Sequence, residues 1–552
     1  MTEPYATHEV LNQPPPLEDY DAFAADPALP VILAAFGGDW AAGRLSRAGA
    51  TVASAEIRRL ARQADRNPPE LVTHDRFGHR VDRIEFHPAW AELMRRAMAD
   101  GVHSLAWTAA RPGAQVARAG LAYLWAQGEA GIMCPLTMTH AAIPVIRRDP
   151  ALREAWEALL LSPDYDGRQM PAAGKHGATC AMAMTEKQGG SDLRQVATIA
   201  EPAGGGLWAL TGHKWFFSAP QSDLFLALAR TAKGVTCFAL PGWLPGGARN
   251  RLLLQRLKDK CGNRSNASSE VEFRGALGTM LGEEGRGIAA ILEMGHLTRI
   301  DCALASAGHM RLAVAEAAWH AAHRSAFQRR LIDQPLMQAV IADLALEAEA
   351  AAWLAFRAAA SLDAPAGAGG EAERRLGRLI TPIAKYWICK RVPAVVAEAL
   401  ECHGGNGFVE DHLMARLYRE APLNGVWEGS GNVICLDMLR AAARDPESVG
   451  LLLDELRAAR GRLPAYDRAL AAAEPALAEA GEGEARRVAE RLAVVLSAAL
   501  LLRHGDPAVA EAFVASRLAP DRGVAFGALP AGVDAAALAR RAEPSEETSA
   551  RL

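Results

Sequence analysis

Hydrophobic and polar positions follow three successive patterns along this chain. Between residues 50 and 156, stretches such as VASAEIRRLARQ and AQVARAGLAYLWAQGEAGIM carry apolar residues at three- and four-residue spacing, which predicts helices. Around His176 the pattern changes to short β-rich runs such as GLWALTGHKWFFSA, separated by glycine, proline and asparagine, as in an antiparallel β domain. Near Gly285 the helical spacing returns and continues to the C-terminal end.

These changes predict a mainly α protein with a central β domain and an extra C-terminal helical domain. The first forty or so residues are polar and interrupted by prolines, so we expect an arm that lies on another surface. The predicted division is an arm at 1–45, a helical domain at 46–175, a central β domain at 176–284, a helical bundle at 285–442 and a helical extension at 443–552.

Composition narrows the class of protein. The 552 residues are 50% hydrophobic with a formal charge of −4, which excludes a disordered chain and argues against binding nucleic acid through bulk positive charge. The eight cysteines include no C-x-x-C pair, so we expect reduced core thiols in a cytoplasmic protein and no metal site. The longest mostly apolar run, Leu492 to Leu502, is far shorter than the about 20 residues of a membrane span and predicts a buried helix.

The segment CAMAMTEKQGGSDLRQVAT, from Cys180 to Thr198, is the first candidate for chemistry. A strand that ends near Thr185 is followed by Gly189, Gly190 and Ser191, whose backbone N–H groups and hydroxyl can donate to a phosphate or to a polar ring edge. An ordinary Gly-Gly turn explains the same residues. Taken alone, the segment leaves both interpretations open.

The segment TGHKWFFSAP, which begins at Thr211, places three aromatic residues in a row ahead of Ser218. Because alternate residues of a strand face opposite sides, at least one of these rings would face a different side from its neighbours. A core strand with one exposed aromatic residue is the simpler alternative.

Two downstream segments carry further candidates. The turn in ECHGGNGF, from Glu401 to Phe408, is a weak signal because glycine and asparagine favour turns generally. The segment VWEGSGN places Glu428 beside Trp427 at a predicted helix start. Glu428 is either a first-turn acid favoured by the helix dipole or a buried base whose pKa is raised by apolar neighbours.

Taken together and in this order, the segments resemble the acyl-CoA dehydrogenase family. The length, the arm and the C-terminal extension are most similar to its AidB branch, flavoproteins associated with the adaptive response to DNA alkylation. The five matching motifs are T-E-x-x-x-G-S-D at Thr185–Asp192, G-x-K-x-W-I-T at Gly212–Ser218, R-x-x-F at Arg324–Phe327, G-G-N-G-F at Gly404–Phe408 and Y-E-G-T at Trp427–Ser430.

The resemblance implies FAD as the cofactor and assigns residues to it. Phe216 would stack on the isoalloxazine where the family usually has tryptophan. Ser218 would form a hydrogen bond with flavin N5. The family usually has threonine at this position, and either hydroxyl can make that hydrogen bond. The remaining contacts with the flavin ring and the pyrophosphate would come from Met182, Met184, Thr185 and Ser191.

The same resemblance implies a homotetramer built as a dimer of dimers. In this family the adenine end of FAD is held partly by the neighbouring subunit, here through Arg324, Phe327, Gly404 and Gly405. The residues that would close over the cofactor from a helix N-terminus are Trp427, Ser430 and Asn432.

The implied reaction is α,β-dehydrogenation of an acyl-CoA thioester. Glu428 would take the α-proton while the β-hydrogen leaves as hydride to flavin N5. One subset of the family, including isovaleryl-CoA dehydrogenase, carries its base on an earlier helix. Thr298 stands at the matching position here, so we expect Glu428 to be the base.

Two alternatives stay open at this point. One is a DNA-binding protein that protects DNA in the alkylation response, with weak or vestigial dehydrogenase activity. The other is a flavin-binding oligomer without efficient turnover. Residues 441–552 contain 14 arginines, no lysine and 17 acidic residues, so any binding to duplex DNA should be weak, independent of sequence and steeply reduced by salt. Its candidate contacts are the local arginine groups Arg457, Arg460, Arg462, Arg468, Arg486, Arg487 and Arg491.

Overall fold

Helices form most of the fold, and a barrel-like sheet interrupts them. The computed structural model describes residues 7–364, 367–520 and 523–544. The ends of the predicted arm and of the predicted C-terminal extension, residues 1–6 and 545–552, lie outside the described residues.

The helices fall into three groups along the chain. The first group comprises α1 (Leu29–Ala35), α2 (Ala42–Val52), α3 (Ala55–Arg66), α4 (Pro88–Ala99), α5 (Leu105–Thr108), α6 (Ala114–Gly128), α7 (Met133–Ile146) and α8 (Pro150–Leu160). The second comprises α9 (Gly287–His323), α10 (Pro335–Ala360), α11 (Ala368–Cys402), α12 (Gly405–Phe408), α13 (Leu413–Glu420) and α14 (Gly431–Arg444). The third comprises α15 (Pro446–Arg457), α16 (Pro464–Ala473), α17 (Ala476–Glu479), α18 (Ala485–His504), α19 (Pro507–Arg517) and α20 (Ala535–Ala542).

Along the chain, the main sheet comes between the first and the second group of helices. It is built from β3 (Cys180–Ala183), β4 (Ile199–Gly204), β5 (Leu207–Ser218), β6 (Leu224–Thr231), β7 (Gly234–Pro241), β8 (Leu252–Leu257) and β9 (Ser268–Leu281). The strand order is β3-β6-β4-β5-β9-β7, and the further pairing of β6 with β7 closes five of these strands into a ring. This closure gives the barrel-like domain predicted at the centre of the chain. Two short hairpins form separate two-stranded sheets. They are β1 (Glu70–His74) with β2 (Arg80–Glu85), and β10 (Ser325–Ala326) with β11 (Arg329–Arg330).

The β1–β2 hairpin departs from the prediction of continuous helix between residues 50 and 156. Its turn is set locally, because the Asp75 carboxylate accepts the N–H groups of Phe77 and His79 while Gly78 adopts φ +87°. The hairpin packs on the sheet, where Asp82 accepts the N–H of Leu254 on β8. The sequence did not predict this short hairpin, because the segments on either side of it have helical spacing of apolar residues.

The N-terminal arm packs on its own chain over much of its length. Leu17 and Tyr20 are buried, and α1 adds Ile32 and Leu33 to the same helical core. The more exposed part of the arm reaches the end of α9, where Asn12 exchanges hydrogen bonds of 2.8 Å with the backbone of Ser325.

Two hydrophobic cores organise the molecule. The larger core joins the first helix group, the bundle helices α9 to α11 and the C-terminal helices, and the smaller core fills the β domain together with α7 and α8. Helix α9 is 37 residues long, or about 56 Å, and nearly all of its middle part is buried. The apolar run from Leu492 to Leu502 lies inside α18, as a buried helix. Among the described residues, no helix is both long and apolar enough to cross a membrane.

A buried ion pair ties two segments of the β domain together. The ammonium group of Lys214 on β5 lies 2.7 Å from the Glu186 carboxylate, and both side chains are at most 1% exposed. Glu186 also accepts the Thr198 hydroxyl at 2.6 Å and the Ala197 N–H at 2.7 Å, while Lys214 donates to the carbonyl of Leu228. Burial opposes ionisation of Glu186, but Lys214 and these hydrogen bonds outweigh it and lower the pKa of Glu186 to about 2.

We predict that Glu186→Gln destabilises the fold by about 3–5 kcal/mol, because the buried Lys214 ammonium loses its only carboxylate within salt-bridge distance among the described residues. The free energy of unfolding in urea measures this loss. The exposed Glu201→Gln on β4 is the matched control and should change stability by less than about 0.5 kcal/mol.

The contribution of Glu186 to the stability of the fold depends on pH in a predictable direction. The pKa of Glu186 is about 2 in the fold against an ordinary value of 4.5. The carboxylate therefore contributes its full stabilisation above pH 4.5, and the contribution is lost as the pH falls towards 2. Equal stability of Glu186→Gln and the parent protein at pH 7 would contradict the assignment.

Candidate active site

The loop after β3 carries the predicted contacts with the cofactor, and the Glu186–Lys214 pair holds it against β5. The backbone N–H of Trp215 donates to the carbonyl of Thr185 at 2.8 Å, so the loop runs alongside the strand. Gly190 packs so closely on Thr185 that a Cβ atom there would lie 2.3 Å from the threonine Oγ1. Thr185 is partly exposed and Ser191 is exposed on this loop.

The end of β5 presents alternate side chains to solvent and to the core. Phe216 is 52% exposed, whereas Phe217 is 1% exposed and stacks on Phe225 with ring centroids 4.6 Å apart. The ammonium group of Lys258 lies 4.9 Å from the Phe216 ring centroid and 3.3 Å from that of Trp215. Phe216, which was predicted to stack on a ring, thus has an accessible aromatic face.

Ser218 lies beside buried groups from α7 and from the loop before β9. Cys134 of α7 packs against Ser218 and Asn266, and burial raises the pKa of the Cys134 thiol to about 11. The Asn266 side chain is 1% exposed, and neither its oxygen nor its nitrogen has a hydrogen bond of normal geometry to the described residues. Met182 is buried under this region, with its N–H 3.4 Å from the sulfur of Met138, and Met184 is partly exposed.

Glu428 lies on a strained turn that precedes α14. Its φ angle is +57°, in the left-handed region that a glutamate rarely adopts. Two cations hold the turn, because Arg299 Nε donates to the Glu428 carbonyl at 3.0 Å and Lys385 Nζ donates to the carbonyls of Trp427 and Gly429. Strain of this kind persists only where the surroundings fix the backbone, and it is frequent at functional sites.

The carboxylate of Glu428 contacts the long helix α9. Thr298 Oγ1 donates to Glu428 Oε2 at 2.7 Å, so the threonine at the alternative base position bonds directly to the predicted base. Burial raises the pKa of Glu428 above its ordinary value, while the Thr298 hydrogen bond and the charges of Arg299 and Lys385 oppose the rise. Trp427, the residue before Glu428, packs together with Met184 against the core of the β domain.

The residues around Glu428 are fixed to different degrees. Trp427 is partly exposed, and its indole N–H donates to Asn424 Oδ1 at 2.8 Å. Ser430 occupies the position before α14, and Asn432 lies in the first turn of this helix, where Arg486 donates to its side chain at 3.2 Å. Both Ser430 and Asn432 are exposed.

The remaining predicted residues lie at the opposite end of α9. A rise of about 1.5 Å per residue separates Thr298 from the end of the helix at His323 by about 38 Å. Arg324 follows this end and donates to the carbonyl of Asn12, and Phe327 is 92% exposed. Gly404 and Gly405 are exposed, with open space around both positions. One chain therefore does not bring these four residues together with Glu428 and Ser218.

Several residues at the site were not identified from the sequence. Cys134, Asn266, Arg299 and Lys385 lie far apart in the chain, outside the five motifs. No local spacing connects them to Glu428, so only the packing of α7, α9 and α11 against the turn reveals their positions.

Profiles of known families match the chain in three consecutive regions. The N-terminal domain of the adaptive response protein AidB matches residues 12–167, the middle domain of acyl-CoA dehydrogenases matches 181–276, and their C-terminal domain matches 285–443. The chain is also 45% identical to AidB of Escherichia coli (strain K12) over 511 residues, covering 92% of this chain and 94% of that protein.

The chain belongs to the acyl-CoA dehydrogenase family. Its AidB-type N-terminal region, matched together with both dehydrogenase domains, places it in the AidB branch that the length, the arm and the C-terminal extension predicted. The acyl-CoA dehydrogenase fold, with the added C-terminal helices, is the architecture expected from the sequence.

Other members of the family are more distant. Acyl-CoA dehydrogenase family member 11 of Caenorhabditis elegans is 31% identical over 416 residues, covering 72% of this chain and 66% of that protein. The crystal structure of C. elegans ACDH-11 in complex with C11-CoA covers 100% of this chain and 95% of that chain, with a TM-score of 0.81 and 25% identity. Butyryl-CoA dehydrogenase from Megasphaera elsdenii, at 23% identity and a TM-score of 0.56, covers 64% of this chain and 90% of that chain and shares the fold.

We predict that Thr298→Val raises the pKa of Glu428 further, because the mutation removes a hydrogen bond that favours the carboxylate. Infrared titration of the Glu428 carboxyl band, identified by its loss in Glu428→Gln, measures the change. Thr298→Ser keeps a hydroxyl and should titrate close to the parent protein. An unchanged or lowered pKa in Thr298→Val would show that the threonine does not stabilise the charged form.

Proposed function

We propose that this protein is a FAD-dependent dehydrogenase that introduces an α,β double bond into an acyl-CoA thioester. The observation that carries the proposal is the Glu428 carboxylate, which Thr298 holds on a strained turn. The preceding residue, Trp427, packs against the core of the β domain that contains the predicted flavin contacts. A carboxylate with a raised pKa in a partly apolar site is suited to proton abstraction.

The residues present fit FAD. Phe216 offers an exposed aromatic face, and the exposed Ser191 follows a Gly-Gly turn that can approach phosphate oxygens closely. The buried side-chain amide of Asn266 contacts Cys134 but has no hydrogen bond of normal geometry to the described residues. It lies in the same region as Ser218, where a polar ring edge could satisfy it. Met182, Met184 and Thr185 would complete the contacts with the flavin ring.

The chain's own groups would divide the work of the reaction. FAD, when bound, supplies the oxidant that accepts a hydride from the β-carbon of the substrate. Glu428 would remove the α-proton, and Thr298 would keep enough of Glu428 ionised for that role. Arg299 and Lys385 would hold the turn so that the carboxylate keeps one orientation.

We predict that the purified protein is yellow with bound FAD and that straight-chain or branched acyl-CoA thioesters bleach the flavin under anaerobic conditions. Glu428→Gln should retain FAD and lose at least 100-fold in the rate of bleaching, because an amide cannot take the α-proton. Stopped-flow absorbance measures the rate. Glu154→Gln, an exposed glutamate on α8, is the control and should react like the parent protein.

Three results would contradict parts of this proposal. Colourless protein that cannot be reconstituted would exclude FAD. Equal bleaching by Glu428→Gln would move the base elsewhere. Bound FAD that no acyl-CoA reduces would favour the flavin-binding oligomer without turnover.

The proposed assembly is a homotetramer in which two chains complete each cofactor site. The separation of Arg324, Phe327, Gly404 and Gly405 from Glu428 along α9 supports this arrangement, because one chain offers only half of the predicted contacts at each end. Several apolar side chains at that end are also exposed, as expected of a surface that another chain covers. These are Phe327 at 92%, Leu336 at 85% and Phe408 at 76%.

We expect light scattering to give about four times the 58.8 kDa mass of one chain. Phe327→Asp should weaken both association and FAD retention, because a charge replaces an exposed apolar contact, while aspartate still tolerates the φ of +52°. Phe77→Asp, on the exposed turn of the first hairpin, is the matched control and should remain assembled. A mass of one chain with FAD retained would contradict the shared site.

Binding to duplex DNA has weaker support. Arg457 and Arg460 both donate to the Glu474 carboxylate at 2.8 Å, which reduces their availability for phosphates. Arg486 donates to Tyr386 and Asn432, and Arg491 to a backbone carbonyl. DNA binding therefore stays a hypothesis that rests on the likeness to AidB. A cytoplasmic location is likewise a proposal, supported by the eight free cysteines.

A further inference from the structure

A second group of polar side chains lies away from Glu428, where the end of α11 and the start of α13 approach the C-terminal part of α9. Glu316 is on α9, His403 follows the last residue of α11, and His412 precedes α13. One carboxylate oxygen and one ring nitrogen from each histidine lie within 4.8 Å of one another. Along α9, Glu316 is about 27 Å from Thr298, so the group is separate from the Glu428 site.

The geometry of His403 fixes its tautomer. Its Nδ1 lies 2.7 Å from the carbonyl of Ala399 and must carry the proton, because a carbonyl can only accept. In the neutral ring Nε2 then keeps a free lone pair. His403 is 4% exposed, and Nε2 has no hydrogen bond of normal geometry to the described residues, although the ring also lies near the backbone of Glu316. Histidines that bind metal ions characteristically use this arrangement, in which a carbonyl orients the ring.

Glu316 is equally buried and incompletely satisfied. It is 4% exposed, and its Oε1 has no hydrogen-bond partner among the described residues. The closest cation is Arg58, whose Nη2 lies 3.6 Å away, beyond hydrogen-bonding distance. Glu316 is therefore a buried carboxylate with no cationic side chain at hydrogen-bonding distance among the described residues.

His412 completes the group from a partly exposed position that gives a route from solvent. Its Nε2 lies 3.8 Å from Glu316 Oε2, and its Nδ1 accepts the N–H of Met414 at a long 3.3 Å. Coordination through Nε2 would transfer the ring proton to Nδ1 and give up this weak hydrogen bond.

We propose that Glu316, His403 and His412 bind one divalent transition-metal ion of the zinc type. Two imidazole nitrogens and a carboxylate are donors that Zn²⁺ prefers, at about 2.0–2.2 Å, and a water molecule would take the fourth position. Donor atoms within 4.8 Å of one another reach such distances after small side-chain movements. The ion would satisfy the unpartnered Nε2 of His403 and would compensate the charge of the buried Glu316 carboxylate.

The proposed ion would act as a clamp. It would join α9 to the end of α11 and the start of α13, and the segment that contains Gly404, Gly405 and α12 lies between these two helices. The sequence predicted no metal site because it contains no C-x-x-C pair. The residues that meet here are separated by up to 96 positions, and they include no cysteine.

The test uses the full-length protein with its native cofactor content. After chelator treatment, calorimetric titration with Zn²⁺ and visible absorption with Co²⁺ should show one site per chain. His403→Gln and Glu316→Gln should each weaken binding at least 100-fold. Zn²⁺ should raise the melting temperature of the parent protein and leave that of these variants unchanged.

His309→Gln is the matched control. His309 is also a buried histidine on α9, 3% exposed, and it lies two turns before Glu316. This variant should bind Zn²⁺ like the parent protein, and exposed His79→Gln should do the same. If a buried variant fails to fold by circular dichroism, His412→Gln at the partly exposed position replaces it.

Two outcomes would overturn the proposal. One is that the parent protein binds Zn²⁺ no more tightly than His403→Gln. The other is that His79→Gln, rather than the cluster variants, loses the site. Because metal binding is measured directly, neither outcome depends on whether the protein dehydrogenates acyl-CoA.

Discussion

The ion pair between Lys214 and Glu186 is the contact on which the geometry of the candidate site depends. It joins β5 to the loop after β3 in the interior of the barrel, so the two predicted flavin-binding motifs cannot move independently. A charge pair placed there is costly to desolvate, and its cost is offset only because Thr198, Ala197 and Leu228 satisfy the remaining donors and acceptors. The motif residues Glu186 and Lys214 therefore hold the two segments together in the interior. Neighbouring residues on the same segments, such as Thr185 and Phe216, are accessible to the predicted flavin.

Helix α9 imposes the second constraint. It contacts Glu428 through Thr298 near one end and positions Arg324 at the other, so it spans the distance between two half-sites. The sides of α9 pack against α6, α7, α10 and α11, so the two ends of the helix keep a fixed separation. The predicted dependence of the cofactor on two chains follows from this separation.

Much of the architecture could be predicted from the sequence, because the spacing of apolar residues shows which face of a helix or strand is buried. The change from helical spacing to short β-rich runs predicted the central sheet, and the motif order predicted the family. The β1–β2 hairpin was missed, since a turn set by Asp75 and Gly78 between helices leaves no long pattern. At the site, the sequence indicated Glu428 but could not indicate how its carboxylate is held. Thr298, Arg299 and Lys385 contact the turn through tertiary packing, which sequence spacing does not encode.

The left-handed backbone at Glu428 also has a consequence for laboratory selection of more thermostable variants of this protein. Glycine or asparagine would occupy φ +57° with less steric cost than glutamate. A screen that rewards heat resistance alone would therefore favour replacing the carboxylate at this position. Thermostability and proton abstraction compete for a single residue, so engineering campaigns on this scaffold need to score both properties together.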